Sequence, residues 1–167
     1  MKPRYTLFIL LTVAGLLIDQ ATKLFIDRSM QLYDSIPVLT DFFNITYVRN
    51  RGAAFSFLSD ASWRLPFFMA VSVVAAIAIL VAFHKLRDDQ KLAQVSLAMI
   101  FAGAIGNLID RVRLGEVIDF LDVHWYRHHW PAFNVADSLI CVGVFLLALD
   151  MLLEDKRLKS QPTHGAS

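Results

Sequence analysis

Apolar runs about as long as a bilayer is thick recur four times along the chain, at 5–26, 65–83, 92–109 and 133–153, and most charges lie between them. A spanning helix needs about 20 mainly apolar residues, so the pattern predicts four transmembrane helices joined by two long loops, 27–64 and 110–132, and one short one. The loops carry patterns of their own. Phe42-Phe43-Asn44-Ile45-Thr46-Tyr47-Val48 is rich in β-branched and aromatic residues and partly alternates with period two, which predicts a strand. It runs into Arg49-Asn50-Arg51-Gly52, where the glycine permits a tight bend or close backbone approach. In the second loop, His124-Trp125-Tyr126-Arg127-His128-His129-Trp130-Pro131 is dense in the tryptophan and tyrosine that favour lipid headgroups. It is expected to lie along the interface as a loop or helix. The predicted fold class is an all-α membrane protein over 1–167, a single domain of four transmembrane helices with a small extracytoplasmic β-sheet.

Composition agrees with that class. With 167 residues and 56% hydrophobic content, the chain is more apolar than soluble domains, which run at roughly 45–50%. A net charge of +1 without a long basic face argues against nucleic acid as a partner. Lys2 and Arg4 precede the first apolar run in the manner of a secretory signal, but no small-x-small cleavage site follows cleanly, so an uncleaved first helix is expected. The tail from Lys159 to Ser167 reads as disordered. Lysine and arginine divide evenly between the two sides of the membrane. They are denser in the short stretches around Lys2, Lys85 and Lys156 than in the two long loops, which places both termini in the cytoplasm and both loops outside. Cys141 cannot form an intrachain disulfide, and its apolar setting suggests a buried, inert thiol.

Charged groups are costly in hydrocarbon, so acids retained beside spans deserve a functional reading. Asp19 and Lys23, four apart, share one helix face and suit either a self-neutralising pair or part of a site. In the third span, Ala98, Ala102 and Gly106 form a small-residue stripe for close helix packing. Gly103, Asn107 and Arg111 occupy another face, and would point a carboxamide and a guanidinium at one place, where an arginine can hold a carboxylate ionised or orient a carbonyl. Asp119 follows the third span and Asp137 begins the fourth, so two packed helices would bring both acids together at the outer membrane face. Asn134 is placed to cap the fourth helix. Two close carboxyls share a proton, and one can then activate water while the other donates to a carbonyl oxygen. The plainer alternative has Asp137 serving the helix N-terminus and Asp119 pairing with Arg111 or Arg113, and spacing alone leans that way. His124, His128 and His129 beside Asp122 lack the HExxH spacing of a catalytic zinc site, and Ser56, Ser59 and Ser138 lack a nucleophile motif.

Five blocks together carry a resemblance. Leu17-Ile18-Asp19-Gln20-Ala21-Thr22-Lys23, Asn50-Arg51-Gly52-Ala53-Ala54-Phe55, Gly103-Ala104-Ile105-Gly106-Asn107-Leu108-Ile109-Asp110-Arg111, Val117-Ile118-Asp119-Phe120 and Phe133-Asn134-Val135-Ala136-Asp137-Ser138 resemble the bacterial lipoprotein signal peptidases, or signal peptidase II, over nearly the whole chain. The resemblance implies an aspartyl endopeptidase of the bacterial cytoplasmic membrane, with Asp119 and Asp137 as the catalytic pair. It further implies that Asp19, Lys23, Asn50, Gly52, Asn107, Arg111, Asn134 and Ala136 surround the site or contact substrate. The implied substrate is a diacylglyceryl-modified prolipoprotein, cut just before the lipidated cysteine, with no metal or cofactor and one chain sufficing. A small extracytoplasmic sheet and a mobile helix beside the site are also implied, matching the strand near Asn44 and the loop near Trp125. A lipid-anchored substrate diffuses in the membrane plane, so the site belongs at headgroup height, and acyl chains contribute about 0.8 kcal/mol per buried methylene. The competing class is a small proton-coupled transporter or channel component using the same acids as a relay, although no internal repeat is visible.

Overall fold

The computed structural model describes residues 2–52 and 63–160. Its elements run α1 (Pro3–Ser29), β1 (Ser35–Leu39), β2 (Phe43–Asn50), α2 (Arg64–Lys85), α3 (Lys91–Leu114), β3 (Val117–Trp125), β4 (His128–His129) and α4 (Val135–Ser160). All four helices are long and apolar enough to cross a membrane. Proline at the start of α1 suits a first turn, where its missing N–H has no partner to lose. Gly115 stops α3 in the left-handed conformation, φ 73°, and its N–H closes on the Arg111 carbonyl at 3.0 Å.

The four strands form one antiparallel sheet in the order β1-β2-β3-β4. Asp119 pairs with Val48, Ile118 with Arg49 and Val117 with Asn50, and a bulge between Ile45 and Val48 puts one extra residue into β2. The second long loop is therefore neither an interfacial helix nor an irregular loop over most of its length. It carries β3 and β4, with Trp125 at the end of a strand and the following turn passing through Tyr126 at φ 52°. The reason lies in burial. Val117 to Phe120 are all buried, so both faces of this stretch are apolar apart from Asp119, and period-two alternation is erased. Lys159 and Ser160 belong to α4, so the expected disordered tail does not begin at 159; residues 161–167 lie outside the described residues, as do Ala53, Ala54, Phe55, Ser56 and Ser59 of the sequence motifs.

α3 is the central helix and packs against α1, α2 and α4. It presents two small-residue faces. Toward α1, Ala102 meets Gly15 and Gly106 meets Asp19, where an added Cβ on Gly15 would lie 3.0 Å from Ala102 Cβ. Toward α4, a Cβ on Gly103 would lie 2.3 Å from the Ala136 carbonyl oxygen, and one on Gly143 2.9 Å from the Ser96 carbonyl. Such approaches let dispersion and packing hold helices that gain nothing from excluding water inside lipid. Phe8, Ile79, Phe83, Leu97 and Ala98 close one end of the bundle, while Ile26, Tyr47, Ile118 and Phe120 form a second core that joins the sheet to α1. The sheet is also tied to that helix by Asp27, which accepts from the Tyr47 hydroxyl and from Arg49 at 3.0 Å. Cys141 is exposed, not buried as its apolar run suggests, because hydropathy does not separate protein-facing from lipid-facing positions on a span.

Gly143→Ala is expected to force α3 and α4 apart against backbone and cost about 1–3 kcal/mol. The check is a lower melting temperature of the detergent-solubilised protein, and an unchanged one would show that the helices yield without cost.

Candidate active site

The first turn of α4 is built by a reciprocal cap. Asn134 Oδ1 accepts the Asp137 backbone N–H at 2.9 Å, while Asp137 Oδ2 accepts the Asn134 backbone N–H at 3.3 Å. This is the capping-box arrangement with an aspartate in the third position. The Asn134 segment is also stitched to β3, since Leu121 and Phe133 exchange backbone hydrogen bonds at 2.8 and 3.0 Å. A helix start and a strand middle are thereby held side by side. The Asn134 carboxamide uses that placement and donates from Nδ2 to Asp119 Oδ1 at 2.7 Å.

Each acid receives a second amide. Asn50, diagonal to Asp119 across the β2–β3 ladder, donates to its Oδ2 at 3.0 Å, and its own Oδ1 is fixed by the Gly52 N–H at 2.9 Å. Asn107, from α3, donates to Asp137 Oδ1 at 2.7 Å. The two carboxamides also meet, Asn134 Nδ2 lying 3.2 Å from Asn107 Oδ1. A continuous bridge therefore runs Asp119, Asn134, Asn107, Asp137. Asn134 Nδ2 also lies 3.1 Å from the Ile118 carbonyl, which holds the bridge to β3.

Behind the bridge lies a buried ionic cluster. Lys23, 1% exposed, donates to Asn107 Oδ1 at 2.9 Å and pairs with Asp19 and Asp110, both at 3.0 Å. Three ammonium protons thus meet three acceptors. Asp19 in turn accepts the Ala136 N–H at 2.9 Å, and so satisfies another free donor of the α4 N-terminus. Ala136 is fully buried against Gly103 and Gly106, neither of which has room for a Cβ of its own.

Asp119 is 2% exposed. Burial, and next the neighbouring Asp137 carboxylate, push its pKa from the ordinary 3.8 up to about 7, against the opposing hydrogen bonds from Asn50 and Asn134. The nearness of the two acids is felt electrostatically. Asp119 is a strand residue packed between sheet and helices, not the loop residue beyond the third span that the sequence suggests. Its expected pairing with Arg111 or Arg113 is absent among the described residues. Its partners are neutral amides, while Arg113 reaches Gln20 Oε1 at 3.4 Å. The helix-capping role expected of Asp137 is present.

Asn107 bonds Asp137 directly, and the Arg111 guanidinium interacts with Asp137 and Asp119 electrostatically. The Arg111 guanidinium lies 5.3 Å from the centre of the Phe68 ring and, among the described residues, donates to the Asn107 carbonyl at 3.4 Å. Asp110 and Gln20, present in the sequence blocks but assigned no role there, belong to the cluster. Gln20 Nε2 lies 3.0 Å from Asp19, 3.2 Å from Asp110 and 3.2 Å from the Gly106 carbonyl. Their signal was their spacing, since Asp110 falls three residues after Asn107 and Gln20 three before Lys23. The histidines occupy the far end of the sheet. His129 Nδ1 lies 2.8 Å from Asp122, and its ring stacks on His124 at 4.5 Å. No group of three metal-binding side chains forms among the described residues. Ser138 spends its hydroxyl on the Asn134 carbonyl at 2.9 Å.

The family model described as Signal peptidase (SPase) II matches residues 11–153. The lipoprotein signal peptidases of Geobacter metallireducens and Geobacter sulfurreducens are 66% and 67% identical over 157 residues, or 94% of this chain and 97% and 98% of theirs. A bacterial membrane enzyme solved by the in meso method at 2.3 Å resolution superposes with a TM-score of 0.81 at 36% identity, covering 97% of this chain and 94% of that one.

Folded Asp119 keeps its proton to about pH 7, whereas in the unfolded chain it ionises near 3.9. The stability that its protonation confers is fully present below about pH 4 and is lost as pH rises through about 7, a change on the order of 3–4 kcal/mol. Thermal unfolding between pH 4 and 8 should therefore fall off more steeply for wild type than for Asp119→Asn. Parallel curves would mean that Asp119 is not the buried titrating acid.

Proposed function

The chain belongs to the signal peptidase II family, and from its site we propose that it is an aspartic endopeptidase that removes the signal peptide of diacylglyceryl-modified prolipoproteins, cutting just before the lipidated cysteine. The observation that carries the mechanism is the amide-bridged pair of Asp119 and Asp137, with one member held protonated near neutrality.

In this reading Asp119 holds the shared proton and Asp137 is ionised. Water sits between the two carboxyls and the scissile carbonyl. The Asp137 carboxylate takes a proton from the water as its oxygen adds to the carbonyl carbon, and Asp119 gives its proton to the carbonyl oxygen, forming a neutral tetrahedral diol. On collapse the C–N bond breaks, Asp137 returns its proton to the leaving nitrogen, and Asp119 recovers one from a diol hydroxyl. Each carboxyl exchanges one proton in each half, so the pair ends as it began. No metal takes part. Asn50, Asn107 and Asn134 present N–H donors that fix the carboxyl planes before substrate arrives, so little reorganisation accompanies reaction. Arg111, held over Phe68 beside the pair, is positioned to receive a substrate carbonyl.

The location supports the same substrate. The acids lie where the sheet meets the end of α3 and the start of α4, and the flanking helices expose apolar side chains such as Leu17, Phe25 and Val74 over their outer faces. With the short, cation-dense segments in the cytoplasm, both termini are cytoplasmic and this end of the bundle faces the outer leaflet. A substrate anchored by acyl chains would then reach it sideways through lipid, with one chain of the enzyme supplying the whole site.

Asp119→Asn and Asp137→Asn are each expected to insert and fold yet lose cleavage of a diacylglyceryl-modified prolipoprotein by at least about 10³-fold. Gel-shift assay of the released signal peptide reads the loss, and near-normal turnover by either variant would sink the dyad. A chelator should leave wild-type turnover unchanged; inhibition reversed by added metal would replace the metal-free mechanism.

A further inference from the structure

Asp110 is fully buried and takes no part in the chemistry above. Its surroundings are more than charge balance requires. Lys23 carries a single positive charge, and Asp19, 3.0 Å away, is enough to neutralise it while also serving the α4 N-terminus through Ala136. A second carboxylate at that ammonium carries a large desolvation cost unless its other lone pairs are used. They are used. Asp110 Oδ1 accepts from Gln20 Nε2 at 3.2 Å, and Oδ2 accepts both Lys23 Nζ at 3.0 Å and the backbone N–H of Ile118 at 3.2 Å.

The last bond is the informative one, because Ile118 immediately precedes Asp119. Its carbonyl accepts from Asn134 Nδ2 at 3.1 Å, so on the side away from β2 both main-chain polar groups of this residue are held by side chains, one from α3 and one from the α4 cap. Among the described residues no neighbouring strand pairs with β3 there, since β4 begins opposite Trp125 and His124. Asp110 also closes the corner through Gly115 by which α3 turns into β3. Resting on the reading of Asp119 as one of the catalytic pair, we propose that Asp110 is a positioning residue for the peptidase reaction, anchoring the Ile118 amide and so fixing the height at which β3 presents Asp119 to Asp137. Its contact with substrate is not required. Misplacing a reacting group by about 1 Å costs as much as about 100-fold in rate, and this tether bonds α3 directly to the strand beside the acid.

The test uses the full chain purified in detergent with a diacylglyceryl-modified prolipoprotein, comparing wild type, Asp110→Ala, Asp110→Asn and Asp119→Asn. The Ala variant should lower kcat about 10- to 100-fold with KM within about twofold. The pH limb near 7 should move down as Asp119 loses its dry setting, and the Ile118 amide should exchange faster with deuterium. Asparagine keeps a neutral acceptor for Ile118 and should recover part of the rate. A purely structural role would lower the melting temperature and the yield of folded enzyme while leaving kcat per folded molecule and the pH limb in place. That result in the folded Ala variant, or in the Asn variant where Ala does not fold, overturns the proposal. Full activity of Asp119→Asn would instead overturn the dyad on which it rests, and the two failures are read separately.

Discussion

A fully desolvated ammonium at one end of the helix bundle is the constraint around which the rest is arranged. Lys23 is almost completely buried on a helix that otherwise passes through lipid, and an unpaired charge there is prohibitive. Its three protons are met by Asp19 from its own helix and by Asn107 and Asp110 from α3. Pairing fixes more than charge. By claiming Oδ1 of Asn107, Lys23 sets the orientation of that carboxamide and turns Nδ2 toward Asp137. The ammonium therefore decides, through one amide, which atom faces the acid.

Asparagine does what a charged partner would not. An arginine or lysine bonded to Asp119 would hold its carboxyl ionised, whereas Asn50 and Asn134 give hydrogen bonds without a counter-charge and leave burial and the nearby acid to raise the pKa to about 7. The guanidinium nearest the site is kept over the Phe68 ring. Close helix packing makes the geometry possible, since Gly103 admits the Ala136 carbonyl to van der Waals contact and Gly106 admits Asp19. The same small residues that replace hydrophobic driving force inside lipid thus bring the α4 N-terminus within reach of Asp19.

The legible parts of the sequence were those governed by long, repeated patterns. Four spans follow from hydropathy over some twenty residues each, and the strand at Phe43–Asn50 from its β-branched and aromatic content. β3 was not legible, because a strand buried on both faces has no alternation to read, and its residues passed for interfacial loop. β1, five residues with every side chain exposed, offers no buried face to betray it. Arg111 shares a helix face with Asn107 by spacing, but that its long side chain would lie over the Phe68 ring, near the acids without a hydrogen bond to them among the described residues, was not legible. Asp110 looked like the charged end of a span. Only the return of the chain as a strand beside it gives its carboxylate an amide to hold.

By itself the sequence determined the number of spans, the family to which the chain belongs and the residue types kept beside the ends of those spans, because the cost of charge in hydrocarbon and the length of a bilayer act on any segment regardless of its neighbours. Which donor meets which carboxylate was decided by tertiary structure alone. Asp119 and Asp137 are brought together by a strand, a helix cap and an amide bridge drawn from β2, α3 and the start of α4. Hydrogen bonds act over about 3 Å, a distance that spacing along the chain does not encode when the partners come from different elements.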